Sequence, residues 1–353
     1  MNILVLGGGQ QGRVIAADIA ASRPGDRVVV ADLRAPALPA LANLAAVEAD
    51  LSSAETIARL LHGYDLGVGA LPSRFGYGAM QAAIAARRPL VDVSFSAESP
   101  LALHHEARAA GVTIVPDCGL APGLSHLCCG HAASQGALAE LEISVGGVAA
   151  DASRPYGYVV TWSVEDLLEE YVRDARVMRD GRPVAVPVFS DLKRVQVDGV
   201  GEMESFLSDG LRTLIETCPE VPNMSERTLR WPGHVEAVRP LVANGRFVNE
   251  IRAKCTAKPE HDLVAMVVLA RWRDGRESRM TLVDRYDAAT GLTAMARTTA
   301  LTTSVTAQFV ADGGVREKGV RMMEHLGRER AAYDAIIAGL AARGVTLRWK
   351  EGA

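Results

Sequence analysis

The chain has 353 residues, 48% of them hydrophobic and 23% charged, which is enough for two domains that each bury a core. A formal net charge of −4 supplies no broad basic field, so nucleic acid is excluded as a natural partner, and no apolar run approaches the roughly 18 residues that a bilayer span needs. The five cysteines are odd in number and lack paired CxxC spacing, so reduced thiols and no metal site are expected, and "MNILVLGGG" has neither a basic start nor a small-residue cleavage site. The expectation is a cytoplasmic protein without a membrane or nucleic-acid partner.

In chain order, Ile3 to Leu6 forms the short unbroken apolar run of a strand buried on both faces of a parallel sheet. Gly7, Gly9 and Gly12 follow in the spacing G-x-G-x-x-G, with Gln11 inside the turn, and Val14, Ile15, Ala17 and Ile19 then recur at helical spacing. In such a turn the first glycine allows the bend, the second lets backbone approach a pyrophosphate, and the third lets helix pack on strand. "RVVVAD" is a second strand whose end, Asp32, lies 20 residues after Gly12 and is followed by Leu33. A carboxylate there accepts ribose hydroxyls and repels a 2′-phosphate, which favours NAD over NADP, while Arg34 pulls the other way.

The alternation of strand and helix continues. "LAAVEAD" reads as a strand to Asp50, "SAETIARLLHGY" as a helix capped by Ser53, and "DLGVGAL" as a strand stopped at Pro72. "YGAMQAAIAARR", "PLVDVSF", "PLALHHEARAAG" and "VTIVPD" read as helix, strand, helix and strand. Ligands in such sheets lie beyond the carboxyl ends of the strands, so Asp50 with Leu51, Ala70 with Leu71 and Pro72, and Val93 with Ser94 join the candidate cofactor contacts.

The second half changes character. "LAELEISVGGV" reads as a strand that turns at Gly146 and Gly147, "SVEDLLEEYVRDA" as a helix, and "VAMVVLARWRDG" and "ESRMTLVDRY" as strands, with turns at "RDGRP" and "RDGRE". This pattern predicts a mixed α+β substrate domain. "GLTAMARTTALTTSVTAQFVADGG" reads as a close-packing helix, with Gly291, Ala294, Ala300 and Ala307, that returns to the first domain. "ERAAYDAIIAGLAARGVTL" reads as a helix stopped by Gly344 and followed by a short strand. The expected architecture is α/β: a Rossmann-type doubly wound parallel sheet in residues 1–122, completed by 297–353, with a substrate and dimerisation domain in 123–296.

The strings "VTIVPDCGLAPGLSHLCCGHA", "VGGV", "PYGYVVTWSVEDLLEEY", "SDGLRT", "TLRWPGHVE" and "MARTTALTTSVTAQFV" resemble the saccharopine dehydrogenase family, and within it the bacterial lysine 6-dehydrogenase branch. The resemblance covers nearly the whole chain. It implies oxidation of a C–N bond of an amino acid by a pyridine nucleotide, through an imine. Two departures bear on the substrate: Ala121 stands where saccharopine reductases carry an acidic residue, and "SFSAES" (Ser94, Phe95, Ser96) stands where the lysine enzymes have glycines and a histidine. The substrate is therefore expected to be a small amine or amino acid that need be neither lysine nor saccharopine.

Oxidising an amine needs a hydride acceptor, a base and anchors for the substrate's charges. Asp117, at a strand end, is the candidate that holds the ammonium or takes its proton. His234 in "RWPGH" is the candidate base or proton relay, because its ordinary pKa suits proton transfer at neutral pH. Arg212 and Arg230 are candidate carboxylate clamps. Tyr158 and Trp162 are candidate walls of an apolar pocket. Cys118, Cys128 and Cys129 read as packing thiols. Open sheet edges predict a homodimer or larger homo-oligomer. Two alternatives remain at this point: an NAD-binding redox sensor without turnover, and the reverse reaction, reductive condensation of an amine with a keto acid.

Overall fold

A computed structural model describes residues 1–256, Lys258 and 261–352. The chain divides into two compact units, one of residues 1–131 and 299–344, the other of 132–298 and 345–353. Elements are numbered in chain order.

The first unit opens with β1 (Asn2–Leu6), α1 (Gln10–Ser22), β2 (Arg27–Asp32), β3 (Leu44–Glu48), α2 (Ala54–Leu61), β4 (Leu66–Gly69) and α3 (Ser73–Ala85). It continues through β5 (Leu90–Asp92), α4 (His104–Ala110), β6 (Thr113–Val115) and α5 (Leu124–Ala133). After the second unit it resumes in the C-terminal half of α10 (Ala294–Ala311), then β15 (Gly319–Val320), α11 (Met323–Arg328) and α12 (Arg330–Ala341). Its seven strands form a parallel sheet in the order β15-β6-β5-β4-β1-β2-β3. Ile3, Leu4, Val5 and Leu6 are wholly buried, as both faces of a helix-covered parallel sheet require. Reversal of strand order on either side of β1 puts a topological switch point there, where such sheets bind ligands.

The second unit contains β7 (Leu138–Ala149), α6 (Val164–Val172), β8 (Ala175–Arg179), β9 (Arg182–Val186), β10 (Lys193–Val197), β11 (Gly201–Leu207) and α7 (Leu214–Thr217). It adds β12 (Asn223–Arg230), α8 (His234–Ala243), α9 (Phe247–Cys255), β13 (Asp262–Trp272), β14 (Glu277–Arg285) and β16 (Leu347–Gly352). The mixed sheet runs β10-β11-β12-β7-β13-β14-β16, with the β8–β9 hairpin attached to β12, and β12 pairs parallel to β7. The "RDGRP" and "RDGRE" turns close the β8–β9 and β13–β14 hairpins, with Gly181 and Gly275 at positive φ.

Four sequence expectations need correction. Gly146 and Gly147 do not turn the chain: β7 runs straight through them, and a Cβ on Gly146 would lie 2.2 Å from the Leu229 carbonyl oxygen. Residues 345–353 do not complete the first unit, because β16 pairs with β14 over six residues. The other divisions fall at 131/132 and 298/299, not 122/123 and 296/297, and lie inside α5 and α10. Ser53 stands at the N-cap of α2 without a capping bond from its side chain.

Candidate functional site

In the first unit the glycine turn is built by steric necessity. Gly7 has φ +101°, and a Cβ on it would lie 2.6 Å from the Ala70 carbonyl oxygen; one on Gly12 would lie 1.9 Å from that of Gly7. Gly9 is different, since a Cβ there would meet nothing within 4 Å. Gly7 and Gly12 are thus glycine for the protein's own packing, while Gly9 leaves open space at the first turn of α1, whose N–H groups no side chain caps. Beside them the Gln11 Oε1 is buried with no hydrogen-bond partner among the described residues. An open cradle, uncapped helix donors and an orphaned acceptor fit a dinucleotide's pyrophosphate and amide groups.

Asp32 ends β2, and its Oδ2 accepts the Gly8 N–H at 2.5 Å. This bond ties the carboxylate to the glycine turn. Leu33, 67% exposed, presents an apolar face beside it, and Arg34 is exposed as well. Ala70 follows β4 and donates its N–H to Leu6 O at 2.8 Å, which sets Ala70, Leu71 and Pro72 against Gly7. Val93 donates to Gly69 O at 3.0 Å, so Val93 and Ser94 leave β5 alongside β4. The structure therefore gathers the carboxyl ends of β1, β2, β4 and β5 as the sequence pattern implied. Asp50, exposed after β3, sits in a local turn where it accepts the Ser52 N–H, and the Leu51 side chain belongs to the hydrophobic core.

Asp117 follows β6, buried and at φ +52°, a left-handed conformation that costs an aspartate of order 1 kcal/mol. Its neighbour Asp92, which the sequence reading passed over, is wholly buried at the end of β5. Asp92 Oδ1 accepts both the N–H (2.7 Å) and the hydroxyl of Ser94. Burial pushes its carboxyl up to about 7, the Ser94 bonds oppose that, and the Asp117 charge adds to it. The Cys118 thiol is pushed up to about 12 by burial, in keeping with a packing role.

The second unit brings four of the candidate residues into one buried chain. Arg230 donates from Nε to the Tyr171 hydroxyl at 2.7 Å and from Nη2 to Glu170 Oε2 at 2.9 Å, and lies over the rings of Tyr158 and Tyr171. Tyr171 in turn bonds His234 Nε2 at 2.9 Å, and His234 Nδ1 lies 2.7 Å from the Tyr156 carbonyl oxygen. A carbonyl can only accept, so Nδ1 carries the proton and Nε2 receives the tyrosine O–H. Trp162 donates to the Tyr158 hydroxyl at 3.1 Å. Glu204 fixes the base of this arrangement: its two oxygens accept the Gly233 and Val235 N–H groups and so cap α8 at His234.

This geometry revises two expectations about roles. Burial, and then the Arg230 charge, push the His234 imidazole down to about 3, and both its nitrogens are engaged. It is a neutral, fixed link, ill-suited to accept a proton at neutral pH. Arg230 has its fork occupied by Glu170 and Tyr171, so it has little left for a substrate carboxylate. Arg212 comes from the separate segment between β11 and α7, buried and at φ +48°. Tyr171, Glu170 and Glu204 were missed because an amphipathic helix and an alternating strand give ordinary reasons for each residue.

Among the described residues there is no group of three or more His, Cys, Asp or Glu able to hold a metal, and no helix long and apolar enough to cross a membrane.

Residues 3–115 match the family model described as saccharopine dehydrogenase NADP binding domain, and residues 119–345 match the saccharopine dehydrogenase C-terminal domain. The chain is similar to the saccharopine dehydrogenase [NADP(+), L-glutamate-forming] of Saccharomyces cerevisiae, 24% identical over 312 residues that cover 80% of this chain and 70% of the relative. The enzyme of the same name from Pyricularia oryzae is 23% identical over 259 residues, covering 62% of this chain and 55% of that one. Among solved structures, the apo saccharopine dehydrogenase (L-Glu forming) from Saccharomyces cerevisiae superposes with a TM-score of 0.80 at 19% identity, with all of both chains covered. A homospermidine synthase from Legionella pneumophila in complex with NAD superposes at 0.67 with 10% identity, covering 99% of this chain and 91% of that one. With both of its domain models matched in order along a nucleotide-binding parallel sheet and a mixed second sheet, this chain belongs to the saccharopine dehydrogenase family of amino-acid dehydrogenases.

Proposed function

We propose that the protein oxidises the amine-bearing carbon of a small amino acid or secondary amine, using NAD as hydride acceptor, through an imine that water then opens. The observation that carries the reading is the Gly7–Gly12 turn, open at Gly9 and bonded through Gly8 to the carboxylate of Asp32. When bound, the nicotinamide supplies the site that accepts two electrons and a proton as hydride. Gly9 and the first turn of α1 hold the pyrophosphate, Asp32 holds the adenosine ribose, and Leu33 shields the adenine side. Asp117 orients the substrate nitrogen and accepts its proton. Arg212 holds a carboxylate, Tyr158 and Trp162 form an apolar wall, and His234 keeps Arg230 and Tyr171 in place.

The preference for NAD rests on Asp32, whose charge opposes a 2′-phosphate, against the family's described NADP binding and the exposed Arg34. Asp32→Ala should weaken NAD binding by about 1–3 kcal/mol and shift preference towards NADP; an unchanged NAD Kd in a titration would move the ribose elsewhere. The reaction is tested by following NADH formation with lysine, ornithine, saccharopine, diamines and N-alkyl amino acids. Turnover on one of these supports the reading; NAD binding with silence on all of them replaces it with a redox sensor. We further propose a cytoplasmic homodimer. The reading is supported by the unpaired edges that the mixed sheet leaves at β10 and β16, while Lys193, Arg194, Arg348 and Lys350 on those strands weigh against it. A monomer by light scattering at micromolar concentration would remove the dimer.

A further inference from the structure

We propose that the charge of Asp92 sets the preference of the first unit between the oxidised and reduced forms of its dinucleotide. The inference rests on the dinucleotide reading above and deepens it.

The placement comes from the sheet. With the adenosine ribose on Asp32 at the end of β2, the other half of a dinucleotide crossing the β1 turn runs to the opposite side, over β4 and β5. Asp92 is the last residue of β5, directly beneath that edge. Its Oδ1 holds the following turn by accepting the backbone N–H and hydroxyl of Ser94, and its backbone carbonyl accepts the Cys118 N–H at 2.8 Å. Its Oδ2 is buried with no hydrogen-bond partner among the described residues. Two glycines make the space: a Cβ on Gly69 would lie 1.7 Å from Asp92 Oδ2, and one on Gly76 1.9 Å from Ser94 Oγ. Neutral or charged, Oδ1 serves Ser94 as an acceptor; Oδ2 is the oxygen the described residues leave unpaired, and it is the one whose charge is free to act on a neighbouring ligand.

Facing Asp92, β4 contributes Gly69 and α3 contributes Gly76, neither of which titrates; the first turn of α3 adds the partial positive charge of a helix N-terminus. The segment after β6 contributes Asp117 and Cys118, and the Cys118 thiol stays neutral with a pKa of about 12. Asp117 is the charged group acting on Asp92. Burial keeps Asp92 protonated to about pH 7, inside the range where cells operate. Above that point a carboxylate appears at the end of β5, beneath the edge over which the nicotinamide half would lie. Oxidised nicotinamide carries a positive charge and the reduced ring does not, so the new charge favours the oxidised form alone.

Binding constants of the full chain for NAD and NADH, measured across pH by calorimetry, test this without turnover. As pH rises through about 7, NAD should gain on NADH by on the order of tenfold. In Asp92→Asn the ratio should be flat. Ser94→Ala removes a hydroxyl that favours the carboxylate, so its midpoint should move to higher pH; should Asp92→Asn fail to fold, this variant decides. A flat ratio in the wild type, an unchanged slope in Asp92→Asn, or an unmoved midpoint in Ser94→Ala overturns the proposal. Failure of both dinucleotides to bind at any pH overturns the dinucleotide reading itself, and the proposal with it.

Discussion

Asp92 is kept from water on every side, and that has a cost in stability which depends on pH. Its carboxyl has a folded pKa of about 7 against an ordinary value of 3.8. Below the ordinary value it is protonated in both states and nothing is lost. Between the two values the unfolded chain releases the proton and the folded one retains it, so stability falls by about 1.4 kcal/mol per pH unit; above the folded value the deficit is constant. Asp92→Asn has no such deficit. The variant should match the wild type near about pH 4 and exceed it by a few kcal/mol near about pH 8, read from denaturant midpoints. Tyr171 poses the opposite case, a hydroxyl with a partner on each side. Tyr171→Phe leaves His234 Nε2 without a donor and Arg230 Nε without an acceptor, both in a buried setting. Unfolding free energy should drop by about 1–3 kcal/mol. If His234 is a fixed link, that loss should come without any change in the pH profile of amine oxidation.

At the scale of elements, the legible features are those whose constraint is local. The turn after β1 is readable because strand, glycine spacing, helix and the terminal Asp32 all fall within one short stretch, where Gly12 answers to Gly7, Gly7 to Ala70 just after β4, and Gly9 to open space. β7 shows where such reading stops. Gly146 and Gly147 have the composition of a turn, yet they sit inside a twelve-residue strand because β12 and Met295 approach too closely for side chains there. Nothing within seven residues of Gly146 announces Leu229. The Arg230–Tyr171–His234 chain was hidden for the same reason, since its bonds join residues 59 and 63 positions apart. Arg230 and His234 stand out singly in the family-like strings, whereas Tyr171 and the bonding that joins the three, which decides what His234 can do, do not. Gly146→Ala tests the close approach: a Cβ 2.2 Å from the Leu229 carbonyl oxygen should lower stability by about 1–3 kcal/mol and weaken the β7–β12 pairing, seen as faster amide exchange in both strands.

At the scale of the whole chain, the two ends of the sequence serve different units, and truncation should separate them. The first unit is incomplete without residues 299–344. β15 supplies the edge strand beside β6, Val320 and Met322 fill the core under that sheet, and the Thr303 hydroxyl donates to Cys118 O at 2.7 Å. Asp18 of α1 accepts from Ser304 of α10 at 2.6 Å and from the Arg343 guanidinium at 2.7 and 2.8 Å, so the nucleotide-turn helix is held by both returning helical segments. A chain stopped after residue 298 should therefore lose dinucleotide binding and expose its core. The last nine residues are different: β16 belongs to the other sheet and covers the edge of β14. A chain stopped after Gly344 should keep its dinucleotide Kd within a factor of about two, while the second unit loses a few kcal/mol from an uncovered edge strand. Calorimetric unfolding with and without NAD distinguishes the two outcomes, because NAD raises the transition only of a unit that binds it. If removal of residues 345–353 alone abolished binding, the returning segment that matters for the nucleotide would be β16, and the assignment of 299–344 as the completing piece would be wrong.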